Sequence, residues 1–170
     1  MRNPTFWITY LLLVVVQLVL SHFFRLSPYF TLCILPVMVL SIPIRVGTAG
    51  TMLIAFATGI TIDLISEGVL GLNTLALVPI GLLRNGTIRL VFGSEVFARE
   101  EDFSARRNGL GKVALAALIA EAVFFTLYIW IDSAGTRPLG FNLLRFLGSL
   151  SGSMVLSMLS LELLAPDPRR

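Results

Sequence analysis

The sequence is poor in the residues on which soluble proteins and most enzymes depend. Only 14% of its 170 residues are charged, whereas a soluble domain carries about 25%. It has a single cysteine, Cys33, and a single histidine, His22. One cysteine excludes a disulfide within the chain. One histidine with no cysteine pair leaves a zinc ion without a ligand set. A soluble surface, a disulfide framework and a zinc centre are therefore excluded.

Catalytic and nucleotide-binding motifs are also missing. No G-x-x-x-x-G-K-[ST] loop for phosphates occurs. A serine–histidine–aspartate triad would have to use His22, which lies at the end of an apolar run. We therefore expect no enzyme, no metal and no cofactor. The net charge of +3 does not point to nucleic acid, because basic residues in membrane proteins mark cytoplasmic loops.

What the chain has in abundance is apolar residues, which make up 56% of it. Uncharged runs of about 17–25 residues are long enough to cross a bilayer as helices. They predict an all-α polytopic membrane protein, with residues 1–170 forming a single integral membrane domain in the lipid bilayer. Pro36 and Pro43 predict a short or broken second run, since each removes a helix hydrogen bond; five spans remain the alternative to six. The six runs are 5–21, 29–44, 47–65, 71–91, 112–131 and 143–164.

The basic residues predict the orientation, because they concentrate in short cytoplasmic loops. With both ends of the chain inside (N-in/C-in), ten of the 13 basic residues lie on the cytoplasmic side. The turn between the third and fourth runs then faces outward, and residues 92–111 form a charged cytoplasmic loop. The ten are Arg2, Arg45, Arg84, Arg89, Arg99, Arg106, Arg107, Lys112, Arg169 and Arg170; Arg25, Arg137 and Arg145 lie outside.

The stretch from Gly59 to Arg84, GITIDLISEGVLGLNTLALVPIGLLR, predicts two helices joined by a short acidic turn. Carboxylates beside long apolar runs are costly unless they face a partner, a cavity or water. Asp63 shares a helical face with Gly59, four residues earlier. At the outer helix end it is either wet or caps a helix; alternatively it fixes the turn, or it pairs with a basic residue such as Arg145. The turn holds two carboxylates and three glycines: Asp63, Glu67, Gly59, Gly68 and Gly71.

Two further features lie in the last two runs. Glu121 falls near the bilayer centre, where we expect it to be paired or protonated. An interhelical hydrogen bond to a serine or threonine is the favoured interpretation, and a ligand or proton site is the alternative. Gly148 and Gly152 form a G-x-x-x-G motif, and serines 149, 153 and 157 repeat at spacing four. This pattern indicates close helix packing, either within the chain or against another membrane protein.

The hairpin resembles the signature region of MreD, the bacterial rod shape-determining membrane protein family. Members are short, with about six spans. They carry a glycine and an aspartate late in one span, then a Gly-Leu-(His or Asn)-x-Leu element that opens the next. Gly59 and Asp63 are similar to the first pair. The second element corresponds to Gly71, Leu72, Asn73, Thr74 and Leu75.

The resemblance implies a non-enzymatic scaffold in the bacterial plasma (inner) membrane, acting in cell elongation and peptidoglycan synthesis. Its implied partners are MreC, the MreB filament, and RodA with its partner transpeptidase. The implied fold is similar to the S component of energy-coupling-factor transporters. A vitamin-binding S component is therefore the alternative function. A membrane enzyme acting on lipid-linked intermediates is less favoured, because only Asp63 and Glu121 could serve it inside the membrane.

Overall fold

A computed structural model describes residues 4–24, 29–93 and 109–164. Most of these residues are helical, with a 3₁₀ turn at Ile44–Val46 and a π-helical turn at Asp63–Glu67. The predicted loop 92–111 falls mostly on residues outside the described part. The helices are α1 (Pro4–Phe24), α2 (Leu35–Leu40), α3 (Gly47–Ile62), α4 (Leu72–Phe92), α5 (Leu110–Ser133) and α6 (Leu139–Leu164).

Five helical segments of the described chain are long and apolar enough to cross a membrane. They correspond to α1, α3 with its flanking turns, α4, α5 and α6. Their outward faces carry exposed leucine, isoleucine and valine side chains, as lipid-facing helices do. The prediction of an all-α polytopic membrane protein is confirmed.

The second apolar run, predicted over residues 29–44 as short or broken, is not a continuous helix. Residues 30–34 are non-helical, and only Leu35–Leu40 form a helix. Pro36 lies in the first turn of α2, where a helix has no hydrogen bond for proline to remove. Pro43 then precedes the 3₁₀ turn. The expectation of a short, broken run is confirmed, and its cause is the position of the two prolines.

This broken segment lies in the core of the bundle, where every residue of α2 is buried. Non-helical backbone at such depth is tolerated only when its polar groups find partners in the protein. Gln17 of α1 supplies one pair of partners. Its Nε2 donates to the Leu32 carbonyl at 3.1 Å, and its Oε1 accepts from the Ile34 amide at 2.8 Å. Gln17 of α1 therefore holds the non-helical backbone.

The glycines and serines that repeat at spacing four in α6 form a small-residue stripe. This stripe packs against the same non-helical segment. The Oγ of Ser149 accepts from the Thr31 amide at 2.8 Å, and the Oγ of Ser153 accepts from the Cys33 amide at 2.9 Å. A Cβ on Gly152 would lie 2.7 Å from the Leu32 side chain. Of the two predicted uses of this stripe, the structure shows the contact within the chain.

Arg84 holds the far end of the broken segment. It is almost fully buried in α4, and its Nε donates to the Leu40 carbonyl at 3.2 Å while Nη2 donates to the Ile42 carbonyl. Residues 29–42 therefore enter beside the first half of α6 and end beside the second half of α4. The distribution of basic residues predicts Arg84 among the charges of the cytoplasmic side, yet its side chain lies inside the helix bundle.

Candidate functional site

The turn between α3 and α4 is built from a π-helical turn and two left-handed glycines. After α3 the chain widens into the π-helical residues Asp63–Glu67, which end at Gly68 with φ +67°. Gly71 precedes α4 with φ +97°. Both values lie in the left-handed region, which glycine adopts without steric cost. The glycines of the predicted acidic turn thus allow the chain to reverse within a few residues.

The carboxylate of Asp63 is fully buried and accepts five hydrogen bonds from the start of α4. Its Oδ1 accepts from the backbone amide of Asn73 at 2.8 Å and from Asn73 Nδ2 at 3.0 Å. Its Oδ2 accepts from the amides of Gly71 and Thr74, both at 3.1 Å, and from Thr74 Oγ1 at 2.6 Å. One side chain therefore ties the end of α3 to the first turn of α4.

This arrangement is electrostatically favourable. The first amides of a helix have no partner within the helix, and the helix dipole places partial positive charge there. An ionised carboxylate is the natural acceptor for these groups, and charge-assisted hydrogen bonds are stronger than neutral ones. The predicted capping role of Asp63 is confirmed, although the residue is buried rather than wet.

The predicted pairing of Asp63 with Arg145 is wrong. Arg145 of α6 instead forms an ion pair with Asp132 at the end of α5, and its Nη2 donates to Thr31 Oγ1 at 3.2 Å. Asp132 also pairs with Arg137 at 2.8 Å. The helix start supplies Asp63 with enough donors, so its carboxylate needs no cation.

Gly59 lets α3 and α4 meet at this site. A Cβ on Gly59 would lie 2.6 Å from Thr74 Cα and 2.9 Å from Thr74 N, closer than side-chain carbons approach backbone. On α4, a Cβ on Gly81 would lie 3.1 Å from Met52 Cα. One glycine from each helix therefore sets the close approach of the hairpin. Gly59, Asp63, Gly71 and Asn73, which the sequence singled out, meet in one place.

Large apolar side chains are exposed at the turn. Four large side chains on the residues around Gly68 are each at least 59% exposed: Leu64, Ile65, Val69 and Leu70. They project from the backbone that Asp63 fixes. The site thus combines a buried polar anchor with an exposed apolar surface, which we call the turn surface.

Glu121 lies apart from the turn, in the interface of α5 with α6. It is fully buried, and Ser157 of the α6 stripe is the polar group that faces it. The serine foreseen by the sequence is therefore present. In the described part of the chain, however, neither carboxylate oxygen of Glu121 nor Ser157 Oγ has a partner at hydrogen-bond geometry. The favoured interhelical hydrogen bond is not formed in this structure.

We expect Glu121→Gln to leave the stability of the purified protein unchanged or to raise it by about 1 kcal/mol. The amide has the same shape, carries no charge to bury, and can donate to Ser157 Oγ. Thermal unfolding in detergent measures this. Asp63→Asn is the matched comparison, because the same change there replaces a carboxylate oxygen that accepts amide donors and should lower the midpoint. Equal losses in both variants would contradict this account of Glu121.

The described residues offer few groups for metal binding. Among them, no group of three or more histidine, cysteine, aspartate or glutamate side chains could hold a metal ion. Gln17, Thr74 and Arg84 act with the residues that the sequence singled out, and each binds backbone or the Asp63 carboxylate. These polar contacts therefore stabilise the fold and hold the turn surface in place.

No protein-family model, curated protein or solved structure matches this chain.

Proposed function

We propose that this chain is a non-enzymatic membrane scaffold of the kind to which its MreD-like hairpin points. In this role it joins the complex that builds peptidoglycan during elongation of rod-shaped bacteria, in the inner membrane. MreC is its direct membrane partner. MreB, RodA and the partner transpeptidase of RodA are further members of the complex.

The observation that carries the proposal is how the Asp63 carboxylate is used. All five of its hydrogen bonds go to residues 71–74 of the same hairpin. A catalytic or ligand-binding carboxylate needs free acceptor positions directed at a substrate, and this one directs its oxygens at a helix start. Gln17 and Arg84 likewise direct polar atoms at the chain's own backbone. Such use of polar groups favours a rigid frame over an active site.

The turn surface is the part of this frame that meets MreC. Leu64, Ile65, Val69 and Leu70 are exposed at a reversal of the chain, held by a buried anchor. Preorganised apolar residues of this kind lower the entropy cost of binding. The four glycine, aspartate and asparagine positions that resemble the family signature act by shaping this surface rather than by touching the partner.

In this arrangement both ends of the chain lie in the cytoplasm and the turn surface faces outward. Residues 29–42 make a sixth, broken crossing between the five long helices. Support comes from their contacts, which run from Ser149 in the first half of α6 to Arg84 in the second half of α4. Six crossings return the C-terminus to the side of the N-terminus, in agreement with the distribution of basic residues.

The test is co-purification of MreC from the same bacterium with the tagged chain in mild detergent. Leu70→Glu places a charge on the turn surface, where the side chain is 66% exposed. Because burying an unpaired charge in an interface is costly, we expect the yield of MreC to fall about tenfold or more. Leu90→Glu is the matched control. It changes a leucine that is 77% exposed at the opposite end of the same hairpin.

Retention of MreC by Leu70→Glu, or equal loss in both variants, would overturn the proposed surface. In cells, depletion of the chain should make rod-shaped bacteria round. Expression of the Leu90→Glu variant should restore the rod shape, and expression of the Leu70→Glu variant should not. Loss of vitamin uptake on deletion, with cell shape intact, would instead identify the S-component alternative.

A further inference from the structure

A shallow groove runs along the outward face of α6. Its volume is about 490 Å³. Almost all of its wall is apolar, and Gly148 deepens it because no side chain fills that position. The residues that line it are Tyr29, Phe30, Leu144, Leu147, Gly148 and Ser151.

An excess positive charge lies at one end of this groove. Arg137 and Arg145 share the single carboxylate of Asp132. The side chain of Arg145 is 9% exposed, so it depends on that carboxylate to offset its burial. The side chain of Arg137 is 39% exposed and competes for the same oxygen. One carboxylate cannot neutralise two guanidinium groups, and the unneutralised charge belongs to the exposed Arg137.

Ring contacts join the charge to the groove. The guanidinium of Arg137 lies over the ring of Phe141, 5.8 Å from its centroid. Phe141 in turn contacts the ring of Tyr29, with centroids 5.7 Å apart, and Tyr29 lines the groove. Arg145 donates to Thr31, the residue after Phe30. The cationic end and the apolar wall therefore form one continuous surface.

The geometry points to a binding site for an anionic phospholipid, with an acyl chain along the groove and the phosphate at Arg137. An apolar groove at the depth of the bilayer accepts an acyl chain. Guanidinium groups bind phosphate oxygens in a bidentate manner. Aromatic rings such as those of Tyr29 and Phe141 belong at the headgroup level. This inference is independent of the proposed scaffold role.

A second groove of the described chain provides an internal comparison. It lies between α4 and α5, with a volume of about 260 Å³, and its lining is apolar apart from the Thr87 hydroxyl. As in the first groove, no charged residue is part of its lining. It has the wall for an acyl chain at a separate place, so a side chain that fills it is a matched control for one that fills the first groove.

The experiment is native mass spectrometry of the purified full chain, titrated with dioleoyl-phosphatidylglycerol or with dioleoyl-phosphatidylcholine. The wild-type chain should bind the anionic lipid more tightly. Arg137→Gln should weaken that binding about fivefold, the effect of one basic side chain near an anionic headgroup, and leave the zwitterionic lipid unaffected. Lys112→Gln is the charge control, because it removes an exposed positive charge at the opposite end of α5.

Ser151→Phe tests the groove, because it fills the groove from an exposed position whose hydroxyl bonds only to its own helix. It should weaken phosphatidylglycerol binding several-fold. Thr87→Phe is its counterpart in the second groove, from a residue whose hydroxyl also bonds to the carbonyl four residues earlier. It should leave the preference for the anionic lipid intact.

Three results would overturn the inference. Equal affinity of the wild-type chain for the two lipids would show that no site for an anionic headgroup exists. Equal losses in Arg137→Gln and Lys112→Gln would show diffuse attraction to net charge. Unchanged lipid binding by Ser151→Phe, together with loss of a co-purifying membrane protein, would make the groove a protein interface.

Discussion

Replacing Asp63 with alanine is expected to produce the largest loss of stability of any single change to the hairpin. The variant loses five hydrogen bonds at once. Hydrogen bonds in membrane proteins average about 0.6 kcal/mol each, so the five together contribute about 3 kcal/mol. The change also leaves buried amides at the start of α4 without an acceptor and removes a negative charge from the positive end of a helix. Both effects increase the loss.

Thermal unfolding of the purified protein in detergent measures this loss. Glu162→Ala is the control, since it removes an exposed carboxylate near the end of α6 and should leave the midpoint unchanged. If Asp63→Ala unfolds at the wild-type temperature, the five hydrogen bonds do not hold the hairpin and the description of the site fails.

The second large effect is expected at Gly59, where alanine should destabilise the protein by about 2 kcal/mol or more. The added Cβ would meet the Thr74 backbone at 2.6 Å, which no rotamer change relieves. The helices must separate, and overpacking of this kind costs about 1–3 kcal/mol. Separation also pulls Thr74 away from the Asp63 carboxylate, which weakens the cap.

Gly86→Ala is the matched control for Gly59→Ala. Gly86 also lies inside a helix of the hairpin, but nothing lies within 4 Å of a Cβ placed there. Alanine favours the helix over glycine by up to about 1 kcal/mol, so this variant should be neutral or slightly more stable. Equal behaviour of the two glycine variants in thermal unfolding would show that the close approach of α3 and α4 is not a constraint.

Much of the site could be predicted because its signals are local in sequence. The spacing of Gly59 and Asp63 predicts one shared helical face, and Gly71 and Asn73 follow Asp63 by eight and ten residues. A carboxylate between two apolar runs demands donors, and the nearest donors are the amides that open the next helix. Pro36 and Pro43 predict the broken second segment, because each removes a helix hydrogen bond near its own position.

What could not be predicted depends on contacts between distant parts of the chain. The pairing of Asp63 with Arg145 was inferred from a shared side of the membrane, which does not reveal that Asp132 lies closer to Arg145. Arg84 reads as a loop charge because nothing near it in sequence points to the Leu40 carbonyl, 44 residues away. The serines of α6 showed helix packing by their spacing, but not that their partner is non-helical backbone.

The proposed function depends on the same contacts of Asp63. A buried carboxylate that serves only its own hairpin makes the turn rigid, and a rigid turn presents Leu64, Ile65, Val69 and Leu70 in one arrangement. In the proposed function, stability of the hairpin and binding at the turn surface are therefore coupled. Asp63→Ala should lose both, whereas Leu70→Glu should lose binding alone.

Hydrogen–deuterium exchange of residues 69–75 tests most directly the claim that Asp63 caps α4. The first amides of a helix lack partners within the helix and exchange quickly unless another group accepts their hydrogen bonds. The amides of Gly71, Asn73 and Thr74 should be protected in the wild-type protein and lose that protection in Asp63→Asn, while α5 stays protected in both. Fast exchange in the wild-type protein, or unchanged protection in the variant, would contradict the account.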